Sequence, residues 1–166
     1  ASGHVRVYSW NGTSWNQLGA DIDGEAEDDQ SGLSVSLSSD GTKVAIGANG
    51  NDGGGSGSGH VRVYEYVSSS WIQPVPDIDG EAASDQSGRS VALSGDGTKV
   101  AIGATSNDGN GSNSGHVRVY DILTPEISSV SLAANNSTIT VTTSLSVYNS
   151  SGGSSDLEVS DFALSI

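Results

Sequence analysis

Over roughly the first 120 positions, apolar and polar residues alternate with a period of two. In the segment His4-Val5-Arg6-Val7-Tyr8 the two valines fall on one side and His4, Arg6 and Tyr8 on the other. That alternation predicts a half-buried β-strand. Asn11-Gly12 follows, a hairpin signal because both residue types accept positive φ, and residues 15–18 read as the returning strand. Beyond an acidic loop at 21–29, Leu33, Val35 and Leu37 alternate with Ser34, Ser36 and Ser38, which predicts another strand. Asp40-Gly41 marks a tight turn, and residues 43–48 form the partner strand with Val44 and Ile46 inward. A Gly/Ser/Asn-rich loop at 49–58 closes the unit, which contains no helical periodicity.

The unit then returns. Gly-His-Val-Arg-Val-Tyr occurs at 3–8, 59–64 and 115–120, an interval of 56 residues each time. Asp21-Ile22-Asp23-Gly24-Glu25-Ala26 recurs at 77–82, and the nine residues 40–48 recur unchanged at 96–104. In the second copy the hairpin turn becomes 67–70 and Trp71 holds the place of Trp15. Pro74 and Pro76 then mark a sheet edge, since proline cannot donate to a ladder. Four short strands per period, repeated in tandem, predict the blades of a β-propeller. The period breaks at Thr124-Pro125. Two domains are expected: blade repeats over 1–123 (partial, complete, partial) and a different β segment over 124–166.

The order Ser31-Gly32-Leu33-Ser34-Val35, Asp40-Gly41, Val44-Ala45-Ile46-Gly47-Ala48 and then Gly59-His60-Val61-Arg62-Val63-Tyr64 resembles the FG-GAP repeat of integrin-α-type propellers. Ser31 and Ser87 stand where that family has Phe, and Asn49 and Thr105 where it has Pro. The resemblance implies strands three and four of one blade (3–18), one whole blade (about 31–74) and strands one to three of another (about 87–122). A closed propeller takes about 4–8 blades, so this stretch cannot close by itself. Its open edges would recruit other strands. The later segment resembles the start of the bacterial Ig-like repeats of large surface adhesins, through residues 138–142, Val147-Tyr148, Leu157-Glu158 and Asp161-Phe162. Thr143 and Leu145 depart from that motif. Strands are expected at 127–132, 138–142, 145–148 and 162–166. An Ig-like sandwich takes about 100 residues, so this module is expected to be incomplete.

Composition narrows the function classes. The chain has 166 residues, 34% hydrophobic, with 23 glycines, no cysteine and no methionine. Thin sheets with many turns fit this better than a thick core, and disulfide staples and thiol catalysis are excluded. Twenty acidic against six basic residues give a formal charge of −14. Without a basic patch, nucleic acid is an unsuitable partner, and so is an anionic membrane surface. No membrane span or signal peptide is visible. The sequence opens in mid-repeat with Ala1, and is read as a processed product or a piece of something longer.

Candidate chemistry lies mainly in the acidic loops. Asp21, Asp23 and Glu25, with Asp77, Asp79 and Glu81 one period on, could supply oxygen ligands to Ca²⁺. The competing reading is a solvated acidic connection with aspartates capping turns. The Asn/Asp/Gly loops at 49–53 and 106–111 offer a second set of oxygens and read more simply as turn chemistry. One histidine per repeat (His4, His60, His116) cannot converge on one ion in a wide ring, and each is expected on a strand face beside a tyrosine. Trp10, Trp15, Tyr66 and Trp71 could stack sugar rings, or pack across their hairpins. The sequons at Asn11, Asn110, Asn135, Asn136 and Asn149 are what chance gives in so Asn/Ser/Thr-rich a chain.

No nucleophile elbow, phosphate loop or zinc-type spacing is present, and an enzyme is not expected. The expectation is an extracellular or cell-surface structural and adhesive protein, self-associating by strand exchange as a fibre or surface-layer subunit. His4, Val5, Arg6, Val7 and Tyr8 at one end and His116, Val117, Arg118, Val119 and Tyr120 at the other are the strands expected to exchange. The alternative is a cation-assisted propeller fragment binding carbohydrate or another surface ligand.

Overall fold

The computed structural model describes residues 1–122, 127–132 and 139–143. The chain divides into two compact units, Ala1–Ile122 and Leu123–Ile166. The described residues are all-β, in several small sheets and without a helix.

Four short strands open the first unit: β1 (His4–Val5), β2 (Tyr8–Trp10), β3 (Trp15–Gln17) and β4 (Ile22–Asp23). β2 pairs with β3 and β1 with β4, both antiparallel. The next repeat is complete. β5 (Ser34–Leu37), β6 (Lys43–Ala48), β7 (His60–Val67) and β8 (Ser70–Ile72) run as an antiparallel meander in that spatial order. β9 (Ile78–Asp79) adds a short fifth strand on the start of β7, pairing His60 with Asp79 and Val61 with Ile78. β10 (Ser87–Leu93), β11 (Lys99–Ala104) and β12 (His116–Asp121) then form a three-stranded meander. In the second unit β13 (Ile127–Leu132) pairs antiparallel with β14 (Ile139–Thr143). The strands expected at 145–148 and 162–166 lie outside the described residues.

The three identical hexapeptides fold differently, and the reason is local. β7 is continuous for eight residues because β6 pairs with it from Glu65 to His60. Residues 4–10 have no such neighbour. They are held at one end by β4 and at the other by β3, and the ladder is interrupted at Arg6 and Val7. The first hairpin also differs from the expectation. Its loop spans 11–14; only Gly12 takes positive φ, at 96°, while Asn11 Oδ1 accepts from the amides of Thr13 and Ser14. The two-residue turn with both φ positive occurs in the second copy, at Ser68 and Ser69.

Core formation follows the stacking of repeats. The central sheet is covered on both sides, so the strict inside–outside alternation expected of β6 and β7 gives way to burial of nearly every residue from Val44 to Ala48 and from His60 to Val63. Ala45, Val61 and Val63 pack against Val100, Ile102 and Ile122, with Val91 and Leu93 beside them. On the other side Val44 and Ile46 pack against Ile22, with Val5, Tyr64 and Trp71 beside them.

The Asp-Gly turns are fixed by one carboxylate each. Asp40 Oδ1 accepts from Ser38 Oγ at 2.6 Å and from the amide and hydroxyl of Thr42 at 3.0 and 2.8 Å. Asp96 repeats this with Ser94 and Thr98. The donors, the serine hydroxyl first, hold both carboxyls at about 2. A carboxyl depressed by folding contributes stability that is complete above its unfolded value, about 3.9, and is lost as pH falls through its folded value. Melting temperature should therefore fall between pH 4 and pH 2, and the fall should be shallower in an Asp40→Asn, Asp96→Asn double variant followed by circular dichroism.

Candidate functional site

Two features of the first unit invite a functional reading: the junction between the first and second repeats, and the sheet surfaces at its two ends.

At the junction, β7 turns His60, Arg62 and Tyr64 toward the preceding repeat, opposite to Val61 and Val63. Three acidic side chains meet them there. β9 and the residue before its first strand position carry Asp79 and Asp77 alongside His60, and the loop after β4 carries Glu25 across from the first repeat. His60 is 1% exposed. Its Nδ1 lies 3.7 Å from Asp77 Oδ2, 3.9 Å from Glu25 Oε2 and 4.0 Å from Asp79 Oδ1, all longer than hydrogen bonds. Its Nε2 is buried without a hydrogen-bond partner among the described residues. Arg62 Nη1 is 3.5 Å from Glu25 Oε1, and Nη2 donates to the Asp23 carbonyl at 2.7 Å. The guanidinium also lies over the Tyr64 ring, 5.6 Å from its centroid. Burial pushes the His60 imidazole down from its ordinary value; Arg62 adds to this, and the carboxylates, Asp77 foremost, oppose it. Burial likewise pushes the Tyr64 hydroxyl up.

The six carboxylates expected to hold Ca²⁺ thus separate. Glu25, Asp77 and Asp79 converge on His60. Asp21 does not join them: Arg6 grips it with three hydrogen bonds of 2.6–2.9 Å, and Gln17 adds a fourth, which brings its carboxyl down to about 2. Asp23 contributes its backbone carbonyl to Arg62. Glu81 pairs with Arg118, as Glu25 does with Arg62 one period earlier. The sequence pattern alone puts His60, like His4 and His116, on a plain strand face. The signal that could have found it is the constant spacing of 37 residues from glutamate to arginine in both copies, which ties each acidic loop to the strand of the following repeat.

The other oxygen-rich loops pair largely among themselves, although Asn49 Oδ1 is buried without a partner among the described residues. Asn51 Nδ2 donates to buried Asp29, whose carboxylate also accepts from the Ala26 amide, and Asn107 and Asp85 repeat the pair. Trp10 packs across its hairpin on Trp15, with ring centroids 5.4 Å apart, and Tyr66 on Trp71 at 5.0 Å. The Trp71 indole donates to the Leu18 carbonyl, tying the two hairpins together. A cleft of about 360 Å³ lies between Ala20–Asp23 and Tyr64, Ser70 and Trp71.

The end surfaces repeat a surface that is buried in the middle. Val61 and Val63 of β7 are 0% exposed, whereas Val117 and Val119, in the same hexapeptide of β12, are 70% and 65% exposed. On β5, the outer strand of the central sheet, Val35 and Leu37 are 52% and 49% exposed, while Val91 and Leu93, one period later, pack on the Val61–Val63 cluster. β12 and β5 therefore each leave open part of a contact that is closed where β10 meets β7.

Residues 78–120 match the family model of the FG-GAP repeat. The match runs from β9 through β12; of the junction residues it includes Asp79, while His60, Arg62, Glu25 and Asp77 precede it. It stops short of the second unit, for which no Ig-like repeat is matched. No curated protein matches the chain.

Proposed function

We propose that this is an extracellular or cell-surface structural protein of the adhesion type, non-enzymatic, whose β-repeats stack as propeller-like blades and whose chains join end to end. The FG-GAP match supports the extracellular setting, since such repeats occur in extracellular and cell-surface proteins. The observation that carries the joining is the contrast within one hexapeptide: Val61 and Val63 buried, Val117 and Val119 exposed. The surface around Val117 and Val119 is the one that, in the middle of the unit, receives Val91 and Leu93 of the following repeat. Val35 and Leu37 of a second copy have the same spacing and chemistry.

Joining proceeds by strand exchange. The last repeat holds β10, β11 and β12 and the first holds β1–β2 and β3, so two ends together supply the four strands of a blade plus a second copy of its hexapeptide strand. One hexapeptide completes the sheet by main-chain hydrogen bonds and the other is released. In this reading the Leu123–Ile166 unit is the opening of an Ig-like repeat, a second β module of a surface chain.

The test is electron microscopy of the native protein beside a Val117→Asp, Val119→Asp double variant. Filaments with a regular subunit repeat are expected for the native chain, and monomers with an unchanged circular dichroism spectrum for the variant. Closed rings, monodisperse native particles or unaltered variant filaments would overturn the proposal. The second reading, cation-assisted ligand binding, draws on the carboxylates gathered at His60 and predicts discrete particles whose ligand affinity is lost on chelation.

A further inference from the structure

We infer that the junction between the first two repeats is a binding site for one imidazole-preferring divalent cation of the zinc class, held by His60 Nδ1, Glu25 and Asp77, with Asp79 alongside. The inference stands apart from end-to-end joining, since it concerns a contact inside a single chain.

Geometry comes first. Two ligands at about 2.0–2.2 Å from a tetrahedral ion lie roughly 3.3–3.6 Å apart. The separations from His60 Nδ1 to the three carboxylate oxygens are 3.7–4.0 Å, a few tenths wider. That spacing is too long for hydrogen bonding and close to what an intervening ion requires. The carboxylates have the freedom to close it, because the Glu25, Asp77 and Asp79 side chains are 48%, 31% and 46% exposed. The same exposure leaves room for water to complete the coordination.

Charge comes second. Three carboxylates face one guanidinium, Arg62, which leaves two negative charges around a buried imidazole. A divalent cation balances them. Burial holds His60 toward its neutral form, the form that ligates.

Ligand type decides the class. Calcium and magnesium take oxygen ligands, whereas imidazole suits zinc and its first-row neighbours. A histidine buried to 1% and pointing its Nδ1 at the carboxylates separates this group from an ordinary acidic loop. Repetition then limits the count to one. At the following junction Glu81 and His116 recur, but the positions 56 residues beyond Asp77 and Asp79 are Ala133 and Asn135. Around His4 the counterpart of Asp77 is Asp21, which Arg6 already holds. An ion in the complete set would staple Glu25 of the first repeat to His60 and Asp77 of the second.

The full chain, stripped with chelator and dialysed into excess Mg²⁺ to saturate diffuse acidic binding, is titrated with Zn²⁺ by calorimetry. Co²⁺ absorption reports nitrogen ligation. One Zn²⁺ per chain is expected, with a rise in melting temperature that Ca²⁺ does not reproduce. Glu25→Gln and Asp77→Asn, both on partly exposed side chains, should each weaken binding by at least the roughly 10–100-fold that loss of an outer-shell partner costs. His60→Asn should abolish the Co²⁺ spectrum; where that variant does not fold, the two carboxylate variants decide. Absent saturable binding, more than one equivalent, a preference for Ca²⁺, or Glu25→Gln and Asp77→Asn chains binding as the native one does would overturn the inference. So would a metal-independent rise in melting temperature from pH 7 to pH 5, which would make a protonated His60 the partner of the carboxylates.

Discussion

Gly47→Ala should destabilise the first unit by about 3 kcal/mol or more, at the upper end of what overpacking costs, while Gly103→Ala should cost about 0.5 kcal/mol or less. The two glycines stand at the same position of identical strands, 56 residues apart. A Cβ on Gly103 would meet Ser90 Oγ at 2.4 Å, and its other near contacts lie at 3.8 Å or beyond. A hydroxyl can rotate away. A Cβ on Gly47 would meet the corresponding Ser34 Oγ at 2.4 Å and also the Gly88 carbonyl oxygen of the next repeat at 2.1 Å. Backbone cannot rotate away, and Ser34 is itself committed, donating to that same carbonyl at 2.7 Å. Relief therefore requires β6 and β10 to separate, which strips cover from the valines between them. Denaturant unfolding of the two variants isolates the contact between repeats, because the strand carrying each glycine and the serine beside it are matched. Equal losses would mean that the repeats do not approach through this glycine. The same comparison probes assembly: Gly103 lies on the surface that a second copy would cover, so Gly103→Ala should preserve the monomer and impair filaments.

The longer strands and the Asp-Gly turns of the first unit were legible in sequence because each is local. Alternation at 43–48 and 60–64 and the Asp-Gly turns all folded as their residue types demand. The 56-residue period also predicted which strands each repeat would contain, and the meander β5–β8 has them in order. Period-two alternation could not show that β7 is buried on both faces. That depends on a second sheet arriving from a repeat about thirty residues away in sequence. The same limit applied to the acidic loops, which as sequence are six equivalent ligand candidates. In space Arg6 removes Asp21, Arg118 removes Glu81, and the side chains left at the junction gather on a histidine whose loop partners come from two different repeats. The short strands β4 and β9 lie where the sequence predicts acidic loop, because Ile22-Asp23 and Ile78-Asp79 are each two residues long, below any length at which alternation is a signal.

Val63→Asp should abolish folding of the first unit, and Val119→Asp should leave it folded, although both change the same residue of the same hexapeptide. Val63 is 0% exposed and sits among Ala45, Val61, Val100 and Ile102, without a polar partner in that cluster. An ionised carboxylate there loses its hydration with nothing in return, and even its neutral form costs several kcal/mol through unmet hydrogen bonds and lost packing. A penalty of that size is comparable with the whole stability of a small domain, about 5–15 kcal/mol. Val119 is 65% exposed, so the aspartate remains in water and the monomer pays little. Far-ultraviolet circular dichroism and a denaturant titration separate the two outcomes. Filament assembly then inverts the ranking of interest: Val119→Asp keeps its fold and loses its neighbour. If end-to-end joining buries Val119 as the chain interior buries Val63, a carboxylate at that position meets the same desolvation, now charged to association. A folded Val119→Asp chain that still assembles would place the contact between subunits on another surface and leave β12 as an open edge.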